Sequence, residues 1–393
     1  MSLLPDTNRF RGAALACLVT LGALLAPILV LPGDDDDPSR PLIERSLKRV
    51  RKETMAADAA DQVTAGYYED LFDASSRTIS TNRLITGKWA TNWSRYKGLP
   101  MNPTNRRISG FLYYDLEPDA DRPEAGGHVI TNSHGMADRE YPLERPEGAR
   151  RIAFIGDSIT QGLGATYGNV FEALLEERLN AEMPAEDVTQ YEVLNFGVGG
   201  YRITQMLWIV QNKVPAFHPQ VDVVVFTDLT AFRKWGDHLV QLVHDGVDLE
   251  YPYLKELAAQ ADLRPDDDPQ TFDAKLEPYR LETVRWALAE MKAAARDGGA
   301  ELMLFLVPQV LDQEMIRDRF DGVREIAAEL DIPVIDATDT FVGVEDFSPY
   351  RLGPMNNHPT DAGHAMIAEN LWRKLQADPR SYAALTGARA PTP

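Results

Sequence analysis

Hydrophobic and polar positions fall into three rhythms along the chain. Gly12 to Pro32 is an uncharged apolar run with Arg9 and Arg11 before it and Asp34-Asp35-Asp36-Asp37 after it. A helix over that run would span roughly 30 Å, the thickness of a bilayer core. From about residue 41 to 73, Leu42, Ile43, Leu47 and Val50 recur at helical spacing among Arg45, Lys48, Arg49, Arg51 and Lys52. That predicts a helix, either a solvated stalk or one lying against lipid head groups. Between Trp89 and Arg145 the apolar pieces Ile108–Tyr114 and His128–Thr131 are broken by Pro, Gly and Asp. They predict short strands packed on a larger body, without a core of their own.

The third rhythm begins at Arg150. Arg151–Ile155 reads as a buried strand, followed by a Gly-rich turn and a helix over Asn169–Glu182. Strands over Tyr191–Asn195, Asp222–Phe226, Glu301–Val307 and Pro333–Asp336 then alternate with helices over Thr204–Val214, Tyr279–Asp297, Gln313–Leu330 and Thr360–Leu375. Strands this uniformly apolar, separated by helices, specify an α/β fold: a three-layer α/β/α sandwich around a parallel sheet. An insertion over residues 232–278 carries Leu239, Val240, Leu242 and Val243 at helical spacing, with Tyr251, Tyr253 and Leu254. It is either a lid or acyl-group wall at the sheet edge, or an ordinary packed excursion. The expected organisation is a membrane anchor (1–33), a stalk helix with a short-strand appendage (34–149), the α/β domain (150–378) and a tail (379–393).

Charge then narrows the partners. Forty basic against sixty acidic residues leave a formal charge of −20. That excess repels phosphate backbones and argues against nucleic-acid binding. The single cysteine, Cys17, excludes an intramolecular disulfide and a cysteine-based zinc site. Basic residues before the apolar run and acids after it predict a cytoplasmic amino terminus and an exported body. No small residues precede a cut site around Leu29-Val30-Leu31-Pro32, so a signal anchor fits better than a cleaved signal peptide.

Chemistry concentrates where the strands end, because ligands bind there in open parallel sheets. The first strand runs into Gly156-Asp157-Ser158-Ile159-Thr160-Gln161-Gly162. A serine between a buried strand and a helix is either a helix cap or a nucleophile. As a nucleophile it needs a base, and His358, in Asn357-His358-Pro359-Thr360-Asp361-Ala362-Gly363-His364, follows the last strand at the same edge of the sheet. The remaining histidines show no metal-ligand spacing with acidic partners, and His364 reads as a residue that caps or packs in the last helix. Neither a metal nor an organic cofactor is expected.

The Gly156-Asp157-Ser158 turn and the His358-Pro359…Gly363-His364 segment resemble the first and last sequence blocks of the SGNH (GDSL-type) hydrolase superfamily. Upstream, Thr131-Asn132-Ser133-His134-Gly135 and Arg139-Glu140 are similar to leaders of its membrane-anchored bacterial members. The resemblance implies Ser158 as nucleophile, His358 as base, and an oxyanion hole from the N–H groups of Ser158 and Gly200, the latter in Asn195-Phe196-Gly197-Val198-Gly199-Gly200. Two positions depart from the pattern. The third block's asparagine is replaced by Ala231; ionised Asp228 only accepts hydrogen bonds, which leaves the Thr230 hydroxyl as a substitute donor. The acid three residues before the histidine is Met355, and the adjacent Asn356 is uncharged. Asp336, Asp339 or Asp346 is then the orienting acid, or a backbone carbonyl orients His358 in a dyad.

The expected function is an exported, membrane-anchored serine esterase or lipase acting on a small-molecule, glycan or lipid ester. Two alternatives stand beside it: an O-acyltransferase on a cell-surface polysaccharide, and a degenerate domain that binds without turnover.

Overall fold

The computed structural model describes residues 104–124, 127–182, 188–231, 235–267, 269–311, 316–354 and 356–388. The expected anchor over 1–33, the helix over 41–73, Cys17 and Met355 lie outside the described residues. Among the described residues no helix is long and apolar enough to cross a membrane.

Two antiparallel ribbons come first: β1 (Asn105–Arg107) with β2 (Tyr114–Leu116), and β3 (Asp121–Glu124) with β4 (Gly127–Ile130). Strands and helices then alternate through β5 (Ala149–Ile155), α1 (Ser158–Gln161), α2 (Phe171–Glu182), β6 (Gln190–Asn195), α3 (Ile203–Asn212) and β7 (Val221–Phe226). Next come α4 (Asp228–Ala231), α5 (Asp237–Asp245), α6 (Pro252–Gln260), α7 (Pro269–Leu276) and α8 (Arg280–Asp297). After β8 (Glu301–Leu306), α9 (Asp321–Glu329) and β9 (Val334–Asp336), a hairpin of β10 (Arg351–Gly353) and β11 (Asn356–Pro359) leads into α10 (Asp361–Ala377) and α11 (Pro379–Thr386).

Five strands form one parallel sheet in the order β6-β5-β7-β8-β9. Successive side chains leave a strand on opposite faces, and here both faces are covered. Ile152 and Phe154 of β5, with Met303 and Phe305 of β8, enter one core with α2, α10 and α11. Ala153 and Ile155, with Leu302, Leu304 and Leu306, enter the other with α3, α5–α9 and the leader residues Phe111, Leu112, Tyr114 and Leu116. The sheet with helices on both sides is the three-layer architecture expected from the alternating pattern.

Local details differ from the expectation. Ile108–Tyr113 is the turn between β1 and β2, not a strand, because Gly110 and Tyr113 adopt φ of +91° and +69°. The helix expected from Gln313 begins at Asp321, after a 3₁₀ turn over Arg317–Phe320. The expected tail is partly helical: Asp378 accepts from the N–H groups of Arg380 and Ser381, Pro379 occupies the first turn, and Tyr382 and Leu385 are buried. The insertion spends its apolar residues on the core, where Leu239, Val240, Leu242 and Leu254 are buried. Its His238 is fully buried, Nε2 donating to the Phe111 carbonyl (2.6 Å) and Nδ1 accepting from the Thr204 hydroxyl (2.9 Å). The described part of the insertion thereby ties the leader to α3.

A second tie is ionic. Arg151 of β5 is fully buried beside Glu192, its register neighbour on β6, at 2.6 Å. Its remaining N–H groups reach the carbonyls of Pro142, Leu143, Glu144 and Phe217 at 2.7–3.4 Å. All five guanidinium donors are thereby used. Arg151→Met should cost about 3–5 kcal/mol, because Glu192 would stay buried without its counter-charge. The half-exposed pair Arg178–Glu369 (2.6 Å) should cost under about 1 kcal/mol when broken by Arg178→Met. Urea unfolding of both variants checks the contrast.

Candidate active site

The strand order reverses between β5 and β7, so their carboxyl ends open a crevice between outgoing connections. Both connections turn at that point. Asp157 leaves β5 and closes the turn twice: Oδ1 accepts from the Ile159 N–H (3.0 Å) and Oδ2 from the Thr227 hydroxyl at the end of β7 (2.7 Å). Burial pushes its carboxyl above the ordinary aspartate value. Ser158 follows as the first residue of α1.

His358 arrives from the other end of the domain on β11, and its Nε2 lies 2.8 Å from Ser158 Oγ. The alcohol and the imidazole singled out in the sequence do meet. Its Nδ1 lies 2.6 Å from Asn356 Oδ1. An amide oxygen only accepts, so Nδ1 carries the proton and Nε2 offers its lone pair to the Ser158 hydroxyl. Burial, with the nearby His364 second, lowers His358 to about 3, so the ring is neutral through the physiological range. Ser158 and His358 are both fully buried.

The three carboxylates expected to orient His358 are engaged elsewhere. Asp336 accepts from Arg324 (2.8 Å) and Thr338 (2.6 Å), Asp339 from Lys374 and Asn370 (2.8 Å each), and Asp346 from the Ser348 N–H (2.9 Å). Asn356 stands in their place. A period-two signal pointed to it, because residues i and i+2 of a strand share a face, and Asn356 and His358 are so spaced on β11. The expectation of an acid drew attention away from a neutral side chain.

Gly200 has φ +81°, a left-handed conformation that favours glycine. The turn reaching it is shaped by Asn195, whose amide donates to the Thr160 carbonyl (2.7 Å) and to Glu172, and whose oxygen accepts from the Gly197 N–H (2.8 Å). Gly197 passes so close to α1 that a Cβ would lie 2.3 Å from the Gln161 nitrogen. Thr230 is drawn into its own turn: its Oγ accepts from the Thr227 N–H (3.3 Å) and lies 3.1 Å from the Thr227 hydroxyl. That hydroxyl helps to fix the β7 exit.

Behind the serine turn is a cavity of about 200 Å³ lined by Asp138, Tyr141, Gln161, Tyr167 and Glu172 among others. Neither Ser158 nor His358 lines it. Burial raises Asp138 to about 7 and Glu172 well above its ordinary value. His364 packs as expected, stacked on Phe171 with ring centroids 6.0 Å apart. Among the described residues no group of three or more His, Cys, Asp or Glu side chains is arranged to hold a metal ion.

Comparison with known proteins follows the same region of the chain. No curated protein matches. Among solved structures, TesA is 18% identical, over 58% of this chain and 99% of its own, with a TM-score of 0.38. The acetylxylan esterase Axe2 of Geobacillus stearothermophilus is 17% identical, over 57% of this chain and 93% of its own, with a TM-score of 0.37. A two-domain esterase active on acetylated mannans is 16% identical, over 62% of this chain and 51% of its own, with a TM-score of 0.37. The sequence profile of the GDSL-like lipase/acylhydrolase family matches residues 154–366, more than half of the chain. That match takes in the β5 exit and the β11 hairpin together, and the chain belongs to this family of the SGNH hydrolase superfamily.

Proposed function

We propose that the protein is a serine ester hydrolase that works through an acyl-enzyme on Ser158. The observation that carries the reading is the 2.8 Å contact between Ser158 Oγ and a neutral His358 Nε2. His358 takes the hydroxyl proton as Oγ adds to the ester carbonyl. The backbone N–H groups of Ser158 and Gly200 hold the oxyanion, each such donor contributing about 3 kcal/mol to transition-state stabilisation. Collapse expels the alcohol, which receives the proton from His358. Water, deprotonated by the same imidazole, then releases the acid and restores Ser158.

The apolar run Gly12–Pro32 between Arg9/Arg11 and the aspartate tetrad supports an exported enzyme tethered by its amino terminus. Its substrate class is a small-molecule, glycan or lipid ester. A second reading is O-acyl transfer, in which a polysaccharide hydroxyl takes the place of water at the same acyl-enzyme. The test is incubation with a short-chain acetyl ester, with and without an oligosaccharide acceptor, and mass analysis of both products. Acetate release without acceptor supports hydrolysis. Acetylated oligosaccharide with little acetate supports transfer, and neither product, with no labelling by a fluorophosphonate, leaves a binding domain.

A further inference from the structure

The peptide joining Gly199 to Gly200 is held from an unexpected direction. Its carbonyl, that of Gly199, accepts a 2.8 Å hydrogen bond from the Tyr114 hydroxyl, and Tyr114 belongs to β2, outside the matched family region. The preceding amide, Gly199 N–H, donates to Gln161 Oε1 at 2.6 Å, from the last residue of the serine helix. In a trans peptide the carbonyl and the N–H point in opposite directions, and the described chain has no cis peptide bonds. Fixing the Gly199 carbonyl against Tyr114 therefore aims the Gly200 N–H the opposite way.

The tyrosine is well suited to this. Its side chain is 2% exposed, and burial pushes its phenol upward, so the hydroxyl remains a donor at any working pH. Tyr201 holds it in turn, donating to the Tyr114 carbonyl at 3.0 Å, with the two rings edge to face at 5.4 Å. A Cβ at Gly200 would lie 2.9 Å from the Tyr114 hydroxyl, so the two groups are packed against each other.

We propose that Tyr114 and Gln161 are positioning residues, which clamp the Gly199–Gly200 peptide so that the Gly200 N–H is preset for the oxyanion. The inference rests on the esterase reading. The need for it is chemical: Ala231 stands where the family resemblance places an asparagine donor, and the neighbouring Thr230 hydroxyl lies 3.1 Å from that of Thr227. With that asparagine amide gone, more of the oxyanion stabilisation falls on backbone amides, whose orientation must be set beforehand.

The experiment is Tyr114→Phe, which deletes one hydroxyl and keeps the ring. The control is Tyr191→Phe, which removes a similarly buried hydroxyl donated to the Thr386 carbonyl (3.2 Å). Two readouts are taken on the full chain: kcat and KM on a short-chain ester, and amide exchange over residues 197–202 by mass spectrometry. Tyr114→Phe is expected to lower kcat about 10- to 100-fold with KM within about twofold, and to speed exchange at Gly199 and Gly200. Tyr191→Phe should change neither, at a similar loss of thermal stability. Unchanged exchange in Tyr114→Phe overturns the clamp whether or not the wild type turns over an ester. Unchanged kcat, a loss confined to KM, or an equal loss in Tyr191→Phe overturns the positioning role. A wild type inactive on every ester, with faster exchange in Tyr114→Phe, keeps the clamp and rejects the esterase reading instead.

Discussion

Ser158→Ala is expected to reduce ester turnover by about 10⁴- to 10⁶-fold, with the fold retained. The side chain is small and fully buried, and its Oγ lies 2.8 Å from His358 Nε2. Alanine removes one oxygen and with it the hydrogen bond to His358, so stability should change by about 1–3 kcal/mol. His358→Ala should lower turnover to a similar degree. The double variant should be barely worse than either single one, because nucleophile and base act as one unit. Initial rates on a short-chain ester, with melting temperatures measured in parallel, check both statements. Additive losses, or a Ser158→Ala variant within tenfold of wild type, would remove Ser158 from the chemistry.

Asn356→Asp is expected to act in the other direction. The amide oxygen of Asn356, 2.6 Å from Nδ1, sets the tautomer but carries no charge to stabilise the imidazolium formed as Ser158 attacks. A carboxylate there would supply that charge through a short, charge-assisted hydrogen bond. Turnover should rise about 10- to 10³-fold, a fraction of the four orders of magnitude that an orienting aspartate commands in a well-studied triad. The pH profile should move with it. The base works only when neutral, so activity is present above the pKa of His358 and lost as pH falls through it. Burial places that value near 3, and the wild-type rate should be level from about pH 5 to 8 on this account. An adjacent carboxylate favours the charged imidazole, so the acid limb should climb toward neutral in Asn356→Asp. A variant with unchanged rate and unchanged acid limb would show that Asn356 does not govern the histidine.

Linkage gives the wild-type imidazole a matching effect on stability. Its folded value is depressed, so the unfolded chain binds a proton that the native site refuses between about pH 6.5 and 3. The native state therefore loses the contribution of His358 as pH falls through that window, by at most about 1.4 kcal/mol per pH unit. Asp138, raised to about 7, acts with the opposite sign: the folded chain holds a proton that the unfolded one gives up, which favours the native state as pH falls. The two groups partly cancel, so the activity profile isolates the histidine better than an unfolding curve does.

How far the chain discloses this site depends on the range of each signal. The parallel sheet was legible because Val221–Phe226 and Glu301–Leu306 are apolar at all but one position each, a property local to each strand. The Ser158–His358 pair was legible because each lies in a recognisable segment that follows a strand of the sheet. Asn356 was overlooked because its part depends on which atom faces Nδ1, and residue type alone suggested an acid. Tyr114 and Gln161 were out of reach for a different reason. Their partners are main-chain atoms of Gly199, and a backbone acceptor leaves no trace in residue type. Thr230 shows a related limit: residue type suits it to donate, but only the structure shows its hydroxyl beside that of Thr227.

The most direct measurement is the site of covalent capture. The full chain would be incubated with a fluorophosphonate, digested, and the modified peptide sequenced by mass spectrometry. A single adduct on Ser158, absent from His358→Ala under the same conditions, is the predicted result. An adduct on a different serine, or none on a folded protein that still cleaves esters, would contradict the account.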